Sequence, residues 1–381
     1  MAGLDATMET LHRIMYSDSR RMSDVDDESV DLIVTSPPYP MIEMWDSVFA
    51  TMNPQVRHVI GDYDGDRAFE MMHQELDKTW AESFRVLKLG AFACINIGDA
   101  TRTMRNRFQL YSNHARILLA CKRIGFDTLP VILWRKQTNA PNKFMGSGTL
   151  PAGAYVTLEH EYILVFRKGA KRVFENEEAK LKRQRSAFFW EERNRWFSDV
   201  WFDLKGVSQD MNDEGVRSRS AAFPFELAYR LINMYSVQLD LVLDPFLGTG
   251  TTLLAALAAC RNSVGIEIDQ AFEKQITRNA TRSAQGLNKR ILQRFSEHLE
   301  FVNQHQENRG TLKHLNKNYN FPVMMRQEAE ILIPYVESIA YDGKTISARY
   351  SDKATLTSVT VSAIAESKGG REQTGQLTLS F

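Results

Sequence analysis

Three cysteines in 381 residues leave little material for a disulfide framework. Cys94, Cys121 and Cys260 each fall in apolar strand or helix patterns, so the expected state is reduced and buried, which fits a cytoplasmic setting. They form no metal-spaced pair, and no metal is expected. An excess of charge is missing as well: 47 Lys and Arg balance 47 Asp and Glu, which argues against strong unspecific binding to a polyanion. No apolar run approaches the length of a membrane span. Residues 1–10 lack the basic start and apolar stretch of a signal peptide, so no leader is expected. What remains is ordinary globular material, 43% hydrophobic and 10% aromatic, long enough for one large domain with additions.

Two segments carry chemistry. Asp31-Leu32-Ile33-Val34 is a short strand-like run that ends in Thr35-Ser36-Pro37-Pro38-Tyr39. Consecutive prolines hold the chain extended and leave their carbonyls as fixed acceptors. A serine hydroxyl before them and an aromatic ring after them suit a flat, amino-bearing ring, with Tyr39 on its face and Ser36 and the Pro37 carbonyl at its NH2. A rigid turn or a proline-rich ligand is the plainer reading of such a loop; its place after a strand favours a site at a sheet edge. Far downstream, Leu241-Val242-Leu243-Asp244 precedes Pro245-Phe246-Leu247-Gly248-Thr249-Gly250-Thr251-Thr252 and an apolar helix. Strand, glycine turn and helix open a nucleotide-type α/β unit. The third glycine of the dinucleotide fingerprint is absent, since Leu253 stands there, and no P-loop lysine follows. Glu267, nineteen residues after Gly248, ends the next strand, where a ribose-binding carboxylate belongs.

Together these segments resemble the S-adenosylmethionine-dependent amino-methyltransferases of DNA, in their permuted beta class, over roughly residues 10–290. Asp244-Pro245-Phe246 with Gly248, Thr249, Gly250 and Thr251 resembles the loop that holds the methionine end of the cofactor, and Thr35 to Tyr39 the catalytic loop. Phe223-Pro224-Phe225-Glu226-Leu227 resembles the helix that closes over the methionine, and His160 to Phe166 the late core strand. Arg85-Val86-Leu87-Lys88-Leu89-Gly90 departs from the usual Leu-Lys-Pro-Gly turn, at no catalytic position. Asp18 stands where an acid often meets the adenine ring; a simple turn acid is the alternative. No cysteine sits in a Pro-Cys loop, so the resemblance implies attack by an amine without an enzyme–DNA bond.

The implied fold is a seven-stranded Rossmann-like methyltransferase sheet, circularly permuted, with a recognition insert and a small C-terminal α+β extension. Strands are expected at residues 12–16, 31–35, 91–97, 129–134, 161–167, 241–244 and 264–268, and a helix at 68–87. The chain divides into a catalytic half (10–168, with 40–67 as a lid or as packing), a recognition insert (169–220), a cofactor half (221–295) and an accessory region (296–381). In the last, helices are expected just after 296 and at 322–341, strands at 344–350 and 354–365, and a disordered stretch at 366–376.

Between Lys168 and Arg195 nine Lys or Arg face five Glu, with Phe188, Phe189, Trp190, Trp196 and Phe197 close by. Such a segment can grip phosphates and stack on bases, and Lys182, Arg183, Arg185, Arg193 and Arg195 are the candidate DNA contacts. An amphipathic helix with a solvated charged face is the bland alternative. Serine at the head of the catalytic loop, where most adenine-N6 members carry aspartate, points to the N4 amine of a flipped cytosine in double-stranded DNA. A hydroxyl can also donate to the ring nitrogen. Adenine N6 and a non-catalytic nucleic-acid-binding relative stay open, as do a cognate restriction endonuclease and a monomeric or homodimeric state.

Overall fold

Val30–Thr35 is buried along its whole length, as a strand covered on both faces must be. It lies at the centre of the main sheet of the computed structural model, which describes residues 8–136, 145–205 and 223–351. The order across the sheet is Val200–Trp201, Ile132–Arg135, His160–Arg167, Leu87–Ile97, Val30–Thr35, Leu241–Asp244, Asn262–Glu267, Met8–Tyr16, Thr345–Ser351 and Tyr335–Tyr341. From Ile132–Arg135 to Met8–Tyr16 these are the seven strands of a methyltransferase core. His160–Arg167 alone among the seven runs antiparallel to its neighbours. The cofactor strand Leu241–Asp244 follows all the catalytic-half strands in sequence yet pairs with Val30–Thr35 in space, which is the permuted order.

Each face of the sheet carries a core. On one, Leu227, Leu231 and Ile232 of helix Phe225–Tyr235 pack with Leu253 to Ala258 of helix Thr251–Ala258, a run apolar on every side. On the other, Met72, Leu76 and Trp80 face the strands, a stripe at spacings of four residues. Their helix, Gly65–Val86, begins at Asp64, whose carboxylate accepts from Arg67 N at 3.1 Å. Cys94, Cys121 and Cys260 are all buried and unpaired. No helix among the described residues is long and apolar enough to cross a membrane.

The C-terminal portion differs from its sequence pattern. Residues 322–341 form no long helix: Pro322–Val323 is a short strand, Arg326–Glu330 a 3-10 turn and Tyr335–Tyr341 a strand. Pairing decides this. Tyr335–Tyr341 joins Thr345–Ser351, which in turn pairs antiparallel with Met8–Tyr16 and lengthens the main sheet. The Tyr350 hydroxyl seals that junction, donating to Leu257 O at 2.8 Å and meeting Thr10 Oγ1 at 2.9 Å. Helix Ala284–Arg309 runs unbroken through residue 296. The strand expected at 354–365 and the polar stretch after it lie outside the described residues.

Between 176 and 195 there are two helices, Glu177–Arg185 and Trp190–Trp196, in place of one. Phe189 and Trp196 are fully buried, Phe189 in a satellite core with Phe295, Phe321 and Ile331, so neither ring is free to wedge into a duplex.

Candidate active site

Two loops leave the C-terminal ends of neighbouring strands, and one carboxylate ties them. Asp244 ends the cofactor strand. Thr35 Oγ1, from the end of the catalytic strand, donates to its Oδ1 at 2.6 Å, Thr252 Oγ1 to its Oδ2 at 2.6 Å, and Phe246 N to Oδ1 at 3.0 Å. Burial pushes this carboxyl up to about 6 against the pull of those donors. Asp244 thus braces the loop more than it faces a ligand.

The glycine turn that follows is shaped by two residues with positive φ, Gly248 at 54° and Gly250 at 90°. Gly250 caps helix Thr251–Ala258, where an added Cβ would lie 3.0 Å from Ile276. Gly248 N donates to Glu267 Oε2 at 2.8 Å and Asp269 N to Oε1 at 2.9 Å, so the acid at the end of the second strand also fixes the turn. Burial raises the Glu267 carboxyl above its ordinary value, and the backbone donors oppose the shift.

One cleft gathers most of the residues the motifs single out: Asp18, Ser36, Pro37, Pro38, Phe223, Asp244, Pro245, Phe246, Gly248, Thr249, Thr251 and Glu267. Gly250 and Pro224 stand behind its wall, each as a helix cap. Asp18 is clasped by Arg20, whose Nε lies 3.0 and 2.9 Å from its two oxygens; burial raises that carboxyl, but the Arg20 bonds win and hold it low. Trp45, Val48 and Met52, from the segment after the catalytic loop, line the same cleft. Sequence reasoning missed Ile268 and Phe272. Ile268 is 56% exposed and sits beside Glu267 in the cleft, where an apolar side chain gains from covering a flat ring. Its place at the end of an apolar alternation with Ile266 was the available signal.

Tyr39 is set differently from the sequence expectation. It is only 8% exposed, and its hydroxyl donates to Glu161 Oε2 at 2.8 Å while accepting from Asn96 Nδ2 at 2.9 Å and Ser36 Oγ at 3.1 Å. Ser36 therefore directs its proton to Tyr39, which does not match its use as a donor to a base's ring nitrogen. Sequence reasoning also missed Asn96, buried between Ile95 and Ile97, and Glu161, buried near the start of its strand.

The basic segment does not reach this cleft. Lys182 Nζ lies 3.7 Å from Asp240 Oδ1, and Gln238 N donates to Ser186 Oγ at 2.8 Å. Asp240 precedes the cofactor strand, whereas the cleft lies beyond its other end, about 13 Å away at the rise of an extended strand. Arg183 packs on Phe174, Arg193 on Phe197, and Arg195 pairs with Glu297. Arg185 O accepts from Leu332 N at 3.0 Å. Lys182, Arg183 and Arg185 thus lie at the edge of the sheet opposite the cleft.

The described lining holds four carboxylates, Asp18, Asp244, Glu267 and Asp269, and neither Lys nor Arg. That wall disfavours a pyrophosphate and suits a cation. Its apolar side, with Trp45, Phe246, Ile268 and Phe272, suits a purine. Sheet and cleft together define an S-adenosylmethionine-dependent methyltransferase. The model of the family described as DNA methylase matches residues 30–278, and the chain belongs to that family. It is 51% identical to type II methyltransferase M.MthZI of Methanothermobacter thermautotrophicus, over 86% of this chain and 91% of that protein. It is 46% identical to M.MjaI of Methanocaldococcus jannaschii, over 72% and 91%. A Thermus thermophilus protein, assigned provisionally as a DNA modification methylase and solved with S-adenosyl-L-methionine, aligns at 32% identity and TM-score 0.55 over 70% of this chain and 94% of that one.

Proposed function

We propose that this DNA methyltransferase acts on the exocyclic N4 amine of a cytosine rotated out of duplex DNA. The supporting observation is Ser36, which lines the cleft at the head of the catalytic loop, the position where most adenine-N6 members of the family carry aspartate. The relatives named as type II methyltransferases support a modification enzyme.

An amine on an aromatic ring is a poor nucleophile because its lone pair is delocalised. When bound, S-adenosylmethionine supplies a methyl group made electrophilic by the sulfonium. The chain's own part is geometry: Ser36 Oγ and the Pro37 carbonyl accept from the NH2 and favour a pyramidal nitrogen, its lone pair facing the cofactor end of the cleft. The carboxylates of the wall favour the cation that the cleft is asked to hold. Asp244 and Thr35 keep the two loops in register.

Mass spectrometry of nucleosides from DNA incubated with the enzyme tests the assignment. N4-methylcytosine is expected, and Ser36→Ala should remove most of it while cofactor binding persists. N6-methyladenine as the sole product would replace the base and leave the fold and cofactor standing.

A further inference from the structure

Side chains from four separate stretches of chain meet beneath the catalytic loop: Ser36 and Tyr39, Asn96, Lys136, and Glu161. We propose that Glu161 is a positioning residue for methyl transfer, acting through Tyr39 to hold Ser36 as a hydrogen-bond acceptor only towards the target amine.

A count of protons sets the direction of the chain. Glu161 accepts at both oxygens, from Lys136 Nζ at Oε1 at 3.0 Å and from Asn96 Nδ2 at Oε2 at 2.6 Å. Tyr39 lies 2.8 Å from Glu161 Oε2, so the phenol is the donor and its oxygen is left to accept. Burial, and then the charge of Glu161, push the Tyr39 phenol well above its usual range, so it keeps that proton. Asn96 fixes the same polarity from the side: its Nδ2 donates to Tyr39 Oη at 2.9 Å and to Glu161 Oε2 at 2.6 Å. The one remaining place at the phenol oxygen is taken by Ser36 Oγ at 3.1 Å. A serine has one proton, and here it points into the protein. What Ser36 can offer the cleft is lone pairs.

Direction matters for the chemistry. The target nitrogen must give its lone pair to the methyl carbon. A serine free to turn could donate to that lone pair and occupy the electrons the reaction needs. A serine held as acceptor can only take an N–H, which leaves the lone pair open and favours the pyramidal nitrogen. The carboxylate found in place of this serine in adenine enzymes is acceptor-only by its nature. Here a neutral hydroxyl would gain the same polarity from a carboxylate two bonds of the network away. The inference rests on Ser36 as the group that meets the amine.

The test is a set of single-turnover rates with S-adenosylmethionine and duplex DNA, alongside calorimetric cofactor binding. Glu161→Gln is nearly isosteric, but its amide can donate to Tyr39 and reverse the chain of bonds. The methyl-transfer rate should fall by roughly 10- to 100-fold, with cofactor affinity unchanged. Tyr39→Phe cuts the link and should lower the rate over the same range. In the Tyr39→Phe background Glu161→Gln should then add less than about twofold, the non-additivity expected of groups acting in series. A full Glu161→Gln penalty in that background would show that Glu161 acts elsewhere and overturn the proposal. If Glu161→Gln does not fold, a wild-type rate in Tyr39→Phe overturns it alone. Ser36→Ala separates the premise: full activity there removes Ser36 from the reaction whatever Glu161 does.

Discussion

Asp244 and Glu267 are both carboxylates held by donors of the chain itself, yet their environments give them different work. Asp244 titrates near 6 in the folded protein, against an ordinary value near 3.8. Its raised value favours the folded state fully below about pH 4, and that contribution is lost as pH rises through about 6. Cofactor binding responds in the opposite sense, because ionised Asp244 adds a negative charge beside a cation. Affinity for S-adenosylmethionine, relative to S-adenosylhomocysteine with its neutral sulfur, should rise roughly tenfold from about pH 5 to about pH 8. Titrating both ligands calorimetrically across that range checks this; parallel curves would show that Asp244 does not sense the sulfonium. Glu267→Ala should weaken cofactor binding by about 1–3 kcal/mol, since it leaves unmet the two backbone donors that fix the glycine turn. An unaltered dissociation constant would take Glu267 out of the site. At this scale the sequence was a good guide wherever a function occupies one contiguous motif. Gly248, Ser36 and Phe223 could be placed from their neighbours in the chain. Glu161, Asn96 and Lys136 could not, because their meeting point exists only after three strands have paired.

Among the elements, the segment from 176 to 196 departs most from its composition. Basic residues and aromatics in one stretch suggest a grip on nucleic acid, but a count of charges does not say which edge of the sheet a helix will occupy. Ser186 interrupts the helix by accepting from Gln238 N, and Phe189 turns inward against Phe295 and His298. Neutralising Lys182, Arg183 and Arg185 should therefore leave the salt dependence of DNA binding unchanged. Neutralising Arg105 and Arg107, in the hairpin that follows strand Leu87–Ile97, and Arg135, the last residue of strand Ile132–Arg135, should flatten it. Binding measured over a salt series decides, and a flattened slope in the first set would return the DNA to the insert. Helix Phe225–Tyr235 is tied in by a different device. Glu226 is bonded by Arg290 and Arg230, and although burial alone would raise its carboxyl, those arginines lower it to about 2. A depressed carboxylate stabilises above its ordinary pKa of 4.5, and that stability is lost as pH falls towards 2. Glu226→Gln should cost up to about 3 kcal/mol near neutrality and flatten the loss of stability in that acid window, as read by denaturant melts.

On the scale of the whole molecule, the sheet is lengthened at both ends beyond the seven strands that periodicity revealed. The core strands are apolar runs and announce themselves. Tyr335–Tyr341 does not, because only Val336 is buried there and its alternation is weak. A partner strand, more than its own sequence, makes it extended. The hairpin it forms covers the edge of Met8–Tyr16, which would otherwise present unpaired backbone. Tyr350→Phe should destabilise the protein by about 1–2 kcal/mol, because Leu257 O and Thr10 lose a buried partner. Thermal melts with cofactor present and absent would measure it; an unchanged melting curve would mean the junction is held by strand pairing alone.

The hydrogen bond from Thr35 to Asp244 also has a meaning in time. A ribosome makes the catalytic half first and the glycine turn more than two hundred residues later. Until Val30–Thr35 has docked, Asp244 has lost one of the donors that make its burial tolerable, and the turn beside it has no fixed shape. The methyl donor thus finds its seat only on a chain whose two halves have already recognised each other. A half-made or misassembled copy lacks the tie that holds the glycine turn. For an enzyme whose product is a lasting label on the genome, that order of events serves as a safeguard written into a single carboxylate.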